Sequence, residues 1–219
     1  WIREWTKKID YCIPIGSLPS HFRPEASTFP TAPGFLHADE EKTAKCKRLL
    51  DKLGPGPKVG ISWRGGIGKT RRNLRSLDEK ALLMLLERCG DAQIVNLQYD
   101  TSPQENAALS AKSGKPIHYW EESISDFDET AALVNSLDIV ITVCTTIAHL
   151  AGALGKQVLV MVPQHPEWRY GHAGEHMIWY PSAHLYRQSA WGQWHTVMGQ
   201  VIHHLEAIRA PVKPHDTTH

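Results

Sequence analysis

Residues 138–163, DIVITVCTTIAHLAGALGKQVLVMVP, decide the fold. The two ends, DIVITV (138–143) and QVLVMVP (157–163), are almost unbroken runs of Val, Ile, Leu and Met. A strand with one wet face alternates apolar and polar residues. A continuous apolar run reads as a strand covered on both faces, the habit of parallel sheets. Between the runs, TTIAHLAGALG (145–155) is a helix built largely from small residues. Strand, helix, strand is the unit that closes by a right-handed crossover.

Outward from this unit the same alternation continues. KVGISW (58–63) reads as a first strand, AQIVNLQY (92–99) as a second, and IHYW (117–120) as a weak third. Ser76 and Glu79 have the spacing of a capping box for LDEKALLMLLERC, and Asp126 with Glu129 the same for ETAALVNSL. A shorter helix lies near 103–112, and a last long helix runs from about 191 to 208. These elements predict an α/β fold, a Rossmann-like parallel sheet with helices on both faces.

Before residue 57 the pattern is looser. Residues 1–11 carry Trp1, Ile2, Trp5 and Ile9 at helical spacing, CIPIGSLP (12–19) reads as a short strand entering a turn, and 19–33 is a loop rich in Pro, Ser and Thr. A charged helix over 38–53 ends at Gly-Pro-Gly-Pro (54–57). The expected organisation is therefore linker and remnant of a preceding domain over 1–56, the sheet domain over 57–210, and a flexible tail over 211–219. The opening WIREWTKK, without an initiator Met, reads as a piece of a longer chain.

Composition narrows the function classes. The 219 residues are 42% hydrophobic and 21% charged, a globular balance. A net charge of +1 offers no broad basic surface for nucleic acid. No apolar run approaches the ~20 residues that span a bilayer. The four cysteines show no metal-like spacing, which fits free thiols in a reducing cytoplasm, and no metal site is expected.

In an open parallel sheet, ligands bind beyond the carboxyl ends of the strands. Three loops there draw attention. RGGIGKTRRNLRS (64–76) holds Gly65, Gly66 and Gly68 with Arg64, Lys69, Arg71, Arg72 and Arg75, yet it matches neither a P-loop nor the GxGxxG spacing. It is either an anion-binding loop or a solvated basic one. At Thr145 and Thr146 a buried strand turns into a helix, where unpaired amides and the helix dipole favour an anion. His149, one turn in, is either a ligand group or a structural histidine. PQHPEWRYG (163–171) carries Trp168 and Arg169, either a stacking and phosphate-binding pair or part of a packed loop. Asp126, Asp128 and Glu129 read as caps rather than an acid/base cluster.

ISWRGG, the later Arg75-Ser76, LQY at 97–99, DFDETAALVNSLDIVITV with TTIAHLAGALGK, and PEWRYG resemble the heptosyltransferase-like glycosyltransferases. They resemble in particular the domain that follows tetratricopeptide repeats in bacterial relatives of O-GlcNAc transferase. The resemblance covers roughly residues 10–208. It implies one half of a GT-B architecture, the C-terminal domain that binds the donor, with a missing N-terminal domain and tetratricopeptide repeats ahead of it. It further implies metal-independent transfer from a nucleoside diphosphate sugar to a protein or glycan acceptor, with no cofactor beyond that donor. Thr145, Thr146 and His149 would cradle the pyrophosphate, Gln98 and Tyr99 would lie near the nucleoside, and Arg64 with Gly65, Gly66 and Arg75 by the phosphates. Many relatives carry Asp where this chain has Cys144, and a thiol cannot supply a carboxylate's hydrogen bonds. No catalytic base is assigned, because it belongs to the other domain. The alternative is a non-catalytic nucleotide-sugar-binding or scaffold module. An NAD-type oxidoreductase is disfavoured by the missing glycine fingerprint.

Overall fold

The computed structural model describes residues 9–209. The helix read over 1–11 lies, but for its last three residues, outside that range, as does the tail over 211–219. The chain divides after Thr31 into two compact units.

Within the first unit, a 3-10 turn (Ile15–Ser17) runs straight into helix α1 (Leu18–Phe22). This corrects the strand read over 12–19. Pro19 sits in the first turn of α1, where its missing N–H costs nothing and its fixed φ suits a helix.

The second unit holds a seven-stranded sheet: β1 (Lys58–Ser62), β2 (Gln93–Asn96), β3 (Ile117–His118), β4 (Ile139–Val143), β5 (Val158–Val162), β6 (His176–Met177) and β7 (Tyr180–Arg187). Its order is β3-β2-β1-β4-β5-β7-β6, parallel throughout except for the antiparallel edge strand β6. The sheet is Rossmann-like, and the strand order reverses between β1 and β4.

β4 and β5 are buried at every position, as the apolar runs require. Ile139, Ile141, Val143, Leu159 and Met161 face one core, while Val140, Val158, Val160 and Val162 face the other. Each such side chain contributes about 1.5–3 kcal/mol by leaving water. Helices α3 (Glu79–Arg88), α4 (Pro103–Ser113) and α8 (Trp194–Arg209) lie on the first face. On the second lie α2 (Glu40–Asp51), α6 (Phe127–Ser136) and α7 (Thr146–Ala153), and a short α5 (Glu122–Ser125) leads into α6.

Helix α2, placed in the linker by the sequence reading, buries Cys46 and Leu50 in this second core. The segment before it is tied down too, because Phe35 N and Leu36 N donate to Ala153 O at the end of α7.

Two local expectations meet different outcomes. Asp126 caps α6 by accepting from Asp128 N and Glu129 N at 3.0 and 2.9 Å, and Glu129 pairs with Lys42 at 3.3 Å, so the acidic cluster is structural. Ser76, by contrast, does not cap α3. Leu77 N is still bonded to Trp63 O, so the chain starts its helix later, and Asp78 takes the cap by accepting from Ala81 N. Residues 180–187, to which the sequence reading gave no strand, form the longest strand among the described residues. β7 joins β5 in parallel across residues 163–179, a connection without an α-helix. No helix among the described residues is long and apolar enough to cross a membrane.

Candidate functional site

A cavity of roughly 380 Å³ opens at the carboxyl ends of β1, β4 and β5, where the strand order reverses. Its floor is the β4–α7 turn. Thr145 is the N-cap of α7; its hydroxyl accepts from Ile147 N at 3.2 Å and lies 2.9 Å from the Thr142 hydroxyl. Thr146 follows as the first helical residue and is exposed to the cavity. Ala148 N is taken by Thr145 O, and the Thr146 amide makes no hydrogen bond among the described residues. An unpaired amide at the positive end of α7 is a ready anion donor.

The walls come from the neighbouring loops. Gly65 is pressed so tightly against the β4–α7 turn that a Cβ there would lie 2.9 Å from Cys144 O. Gly66 has φ 78°, and a Cβ there would strike the Thr70 hydroxyl at 2.5 Å. The missing side chain also leaves room for Arg75, whose Nη1 would lie 3.2 Å from such a Cβ. Arg75 donates to Cys144 O at 2.7 Å and pairs with Glu167 Oε1 at 2.7 Å. Glu167 also pairs with Arg169 through its other oxygen. Tyr99, Ile67 and Tyr170 complete the lining.

His149 is half-buried in the wall. Its Nε2 lies 3.2 Å from the Tyr170 hydroxyl, and its ring meets Tyr180 edge-on. Burial, with the nearby Arg169 charge, lowers its pKa, so the imidazole is neutral at pH 7. Cys144 presents its carbonyl to the cavity, not its thiol. The residue is 1% exposed, its sulfur sits 3.9 Å from Met161 O, and burial pushes the thiol pKa up to about 12.

Of the residues singled out in the sequence, Gly66, Arg75, Tyr99, Cys144, Thr145, Thr146, His149 and Arg169 line this one cavity. Four do not. Arg64 turns away to pair with Asp100 and Glu105 and to donate to Thr101 at 2.9 Å. Gln98 is fully buried beneath the loop, Gly65 packs under the turn, and Trp168 stands outside, edge-on to Trp179. Arg72 is likewise neutralised by Asp100. That carboxylate, for all its burial, is held below its usual range by the Gln98 amide and the two arginines.

Much of the loop's positive charge is thus spent on its own architecture. Further along, Arg187 donates to the carbonyls of Gly171, Gly174, Tyr170 and Ala173, the packed-loop role. Glu167 and Tyr170 escaped the sequence reading. The only signal for Glu167 was a carboxylate two residues before an arginine in PEWRY.

No protein-family model matches the chain. Protein FlbA of Caulobacter vibrioides is 32% identical over 205 residues, 92% of this chain. The chain spans 33% of that relative's length. Among solved structures, the ADP-heptose lipopolysaccharide heptosyltransferase II of E. coli superposes with a TM-score of 0.60 at 14% identity, covering 85% of this chain and 57% of that one. A family 9 glycosyl transferase from Veillonella parvula gives a TM-score of 0.49 at 10% identity over 84% of this chain and 48% of its own. The likeness to the heptosyltransferase shows the fold, a Rossmann-like α/β domain.

Proposed function

We propose that this domain binds a nucleoside diphosphate sugar and serves as the donor side of a glycosyltransferase. The observation that carries the reading is the unpaired Thr146 amide at the start of α7, open to a cavity that also holds Arg75 and Arg169. A diphosphate seated on that turn would receive the amide and the two guanidinium groups. As the bond to the sugar breaks, negative charge grows on the departing diphosphate. Donors aimed at that charge lower the barrier, each by ~2.7–4 kcal/mol in a well-formed site. Two fixed cations beside the turn supply the neutralisation that a metal ion supplies elsewhere, so the proposal includes metal independence.

Tyr99, 56% exposed at the rim beyond β2, offers a face on which a base can stack. The proposal carries with it a second domain across the cleft, which would hold the acceptor and the general base, and tetratricopeptide repeats ahead of it. The heptosyltransferase that shares this fold extends beyond the part this chain covers.

A second reading, a nucleotide-sugar-binding module without turnover, is favoured by one feature. Among the described residues the one carboxylate lining the cavity, Glu167, is already engaged by two arginines, with a buried thiol at position 144 beside it.

Thr146→Pro tests the site. Thr145 is extended (φ −130°, ψ 174°), which suits a residue before proline, and the first helical position tolerates proline well. The variant removes one N–H, together with the Thr146 hydroxyl, and leaves the helix. In a thermal-shift panel with ADP, UDP, GDP, CMP and their sugars, a true ligand at 100 times its Kd adds ~2.7 kcal/mol to the native protein's stability. Thr146→Pro is expected to keep its unliganded Tm and lose most of that response. A full response in Thr146→Pro, or none from any nucleotide in the native protein, sinks the assignment.

A further inference from the structure

Arg75 and Arg169 reach the cavity from opposite sides, Arg75 from the loop after β1 and Arg169 from the loop after β5. β4 lies between those strands, so the pairing of Arg75 with Glu167 passes across the β4–α7 turn. Glu167 spends one carboxylate oxygen on each arginine. Arg75 has one terminal nitrogen on Glu167 and the other on Cys144 O, while its buried Nε has no partner among the described residues. Glu167 and Arg169 are 34% and 41% exposed, so the carboxylate can leave without any part of the core opening.

We propose that the Glu167 carboxylate holds the place of a ligand phosphate, and that binding proceeds by exchange of one anion for the other between Arg75 and Arg169. The inference rests on the reading of this cavity as a diphosphate site. Carboxylate and phosphate compete for the same guanidinium donors in the same two-pronged geometry. With Glu167 in place the three side chains carry a net charge of +1, and an incoming diphosphate meets a like charge beside the donors it needs. Displacing Glu167 releases both arginines to the phosphate oxygens. Glu167 therefore weakens ground-state binding while keeping two close, otherwise repelling guanidinium groups in place in the empty site. It sits at the entry to the short 3-10 turn Trp168–Tyr170, with extended φ and ψ of −66° and 151°, where a modest backbone rotation moves the side chain aside.

The test is calorimetric titration of inorganic pyrophosphate into the full chain at constant ionic strength. Glu167→Gln, which keeps the shape and removes the charge, is expected to bind pyrophosphate about tenfold more tightly than the native protein, because a like charge at the site is gone. Glu167→Ala is measured alongside and decides the matter should the Gln variant melt below the assay temperature; it too is expected to bind more tightly. Equal or weaker binding by the variant overturns the exchange and leaves the donor site standing. Absence of pyrophosphate binding in native and variant proteins alike overturns both.

Discussion

The Gln98 side chain clasps the Arg64 peptide from both sides. Its Oε1 accepts from Arg64 N at 2.8 Å and its Nε2 donates to Arg64 O at 3.1 Å. The same Oε1 also accepts from Trp63 N at 3.0 Å. A buried amide here does the work of a further rung of sheet, joining the loop after β1 to the loop after β2. Gln98→Ala strands those buried groups, each costing about 1–3 kcal/mol. The expected loss is about 2–4 kcal/mol of unfolding free energy by denaturant titration. A loss below about 0.5 kcal/mol would show that the clasp is dispensable.

Helix α7 owes its position to a missing side chain. A Cβ on Gly152 would lie 2.4 Å from the Tyr180 ring, where no repacking of a flexible tip can relieve it. Gly152→Ala therefore pushes α7 away from β7, at a cost of about 1–3 kcal/mol for overpacking. For a domain of this size that is roughly 2–4 °C of Tm per kcal/mol. Because Thr145 and Thr146 open the same eight-residue helix, a weaker nucleotide response in the thermal-shift panel is expected together with the lower Tm.

A histidine cluster lies on and beside β7. His184 is 5.5 Å from His176 and 5.3 Å from His204 between ring centres, tilted on Tyr186, with the Glu175 carboxylate at 3.8 Å. Burial first, then the neighbouring His204, lowers the pKa of His184; burial and His203 lower that of His204. The folded protein thus binds fewer protons than the unfolded chain as pH falls through 6.5. This stabilisation is complete above the ordinary 6.5 and is lost as the pH drops toward the folded values. His149 adds a contribution of the same sign. Melting curves from pH 7.5 to 5 are expected to show a falling Tm, with a smaller fall in His184→Gln. An unchanged slope in that variant would exclude the cluster as the source.

None of the four cysteines forms a disulfide, and they differ in reach. Cys12 is exposed, whereas Cys46, Cys89 and Cys144 are buried, and burial raises the pKa of Cys46 and Cys144. Alkylation with iodoacetamide at pH 8, followed by peptide mass spectrometry, is expected to label Cys12 within minutes and the other three only on unfolding. Prompt labelling of Cys144 in the folded protein would contradict the placement of its thiol beneath the turn.

Much of the scaffold was legible in residue order. β4 and β5 announce themselves as continuous apolar runs, and Asp126 and Thr145 cap helices where their spacing says they should. β7 was hidden because YPSAHLYR mixes polar and apolar residues, and because a parallel partner normally follows a helix, which is absent here. Ser76 misled for a related reason: the capping pattern was right in type, but the bond from Leu77 N to Trp63 O delayed the helix.

By itself the sequence determined the alternation of strand and helix and the turn at Thr145 and Thr146, since hydrophobic period and cap chemistry act over a few neighbouring residues. Only the tertiary structure decided which charges face that turn. Arg64 is consumed by Asp100 and Glu105, Arg75 is turned inward onto Cys144 O, and Glu167 is brought between two arginines. The physical reason is that a guanidinium takes whichever carboxylate or carbonyl the packed fold places within about 3 Å, and for Arg64 and Arg75 those partners lie in loops and a helix distant in the chain.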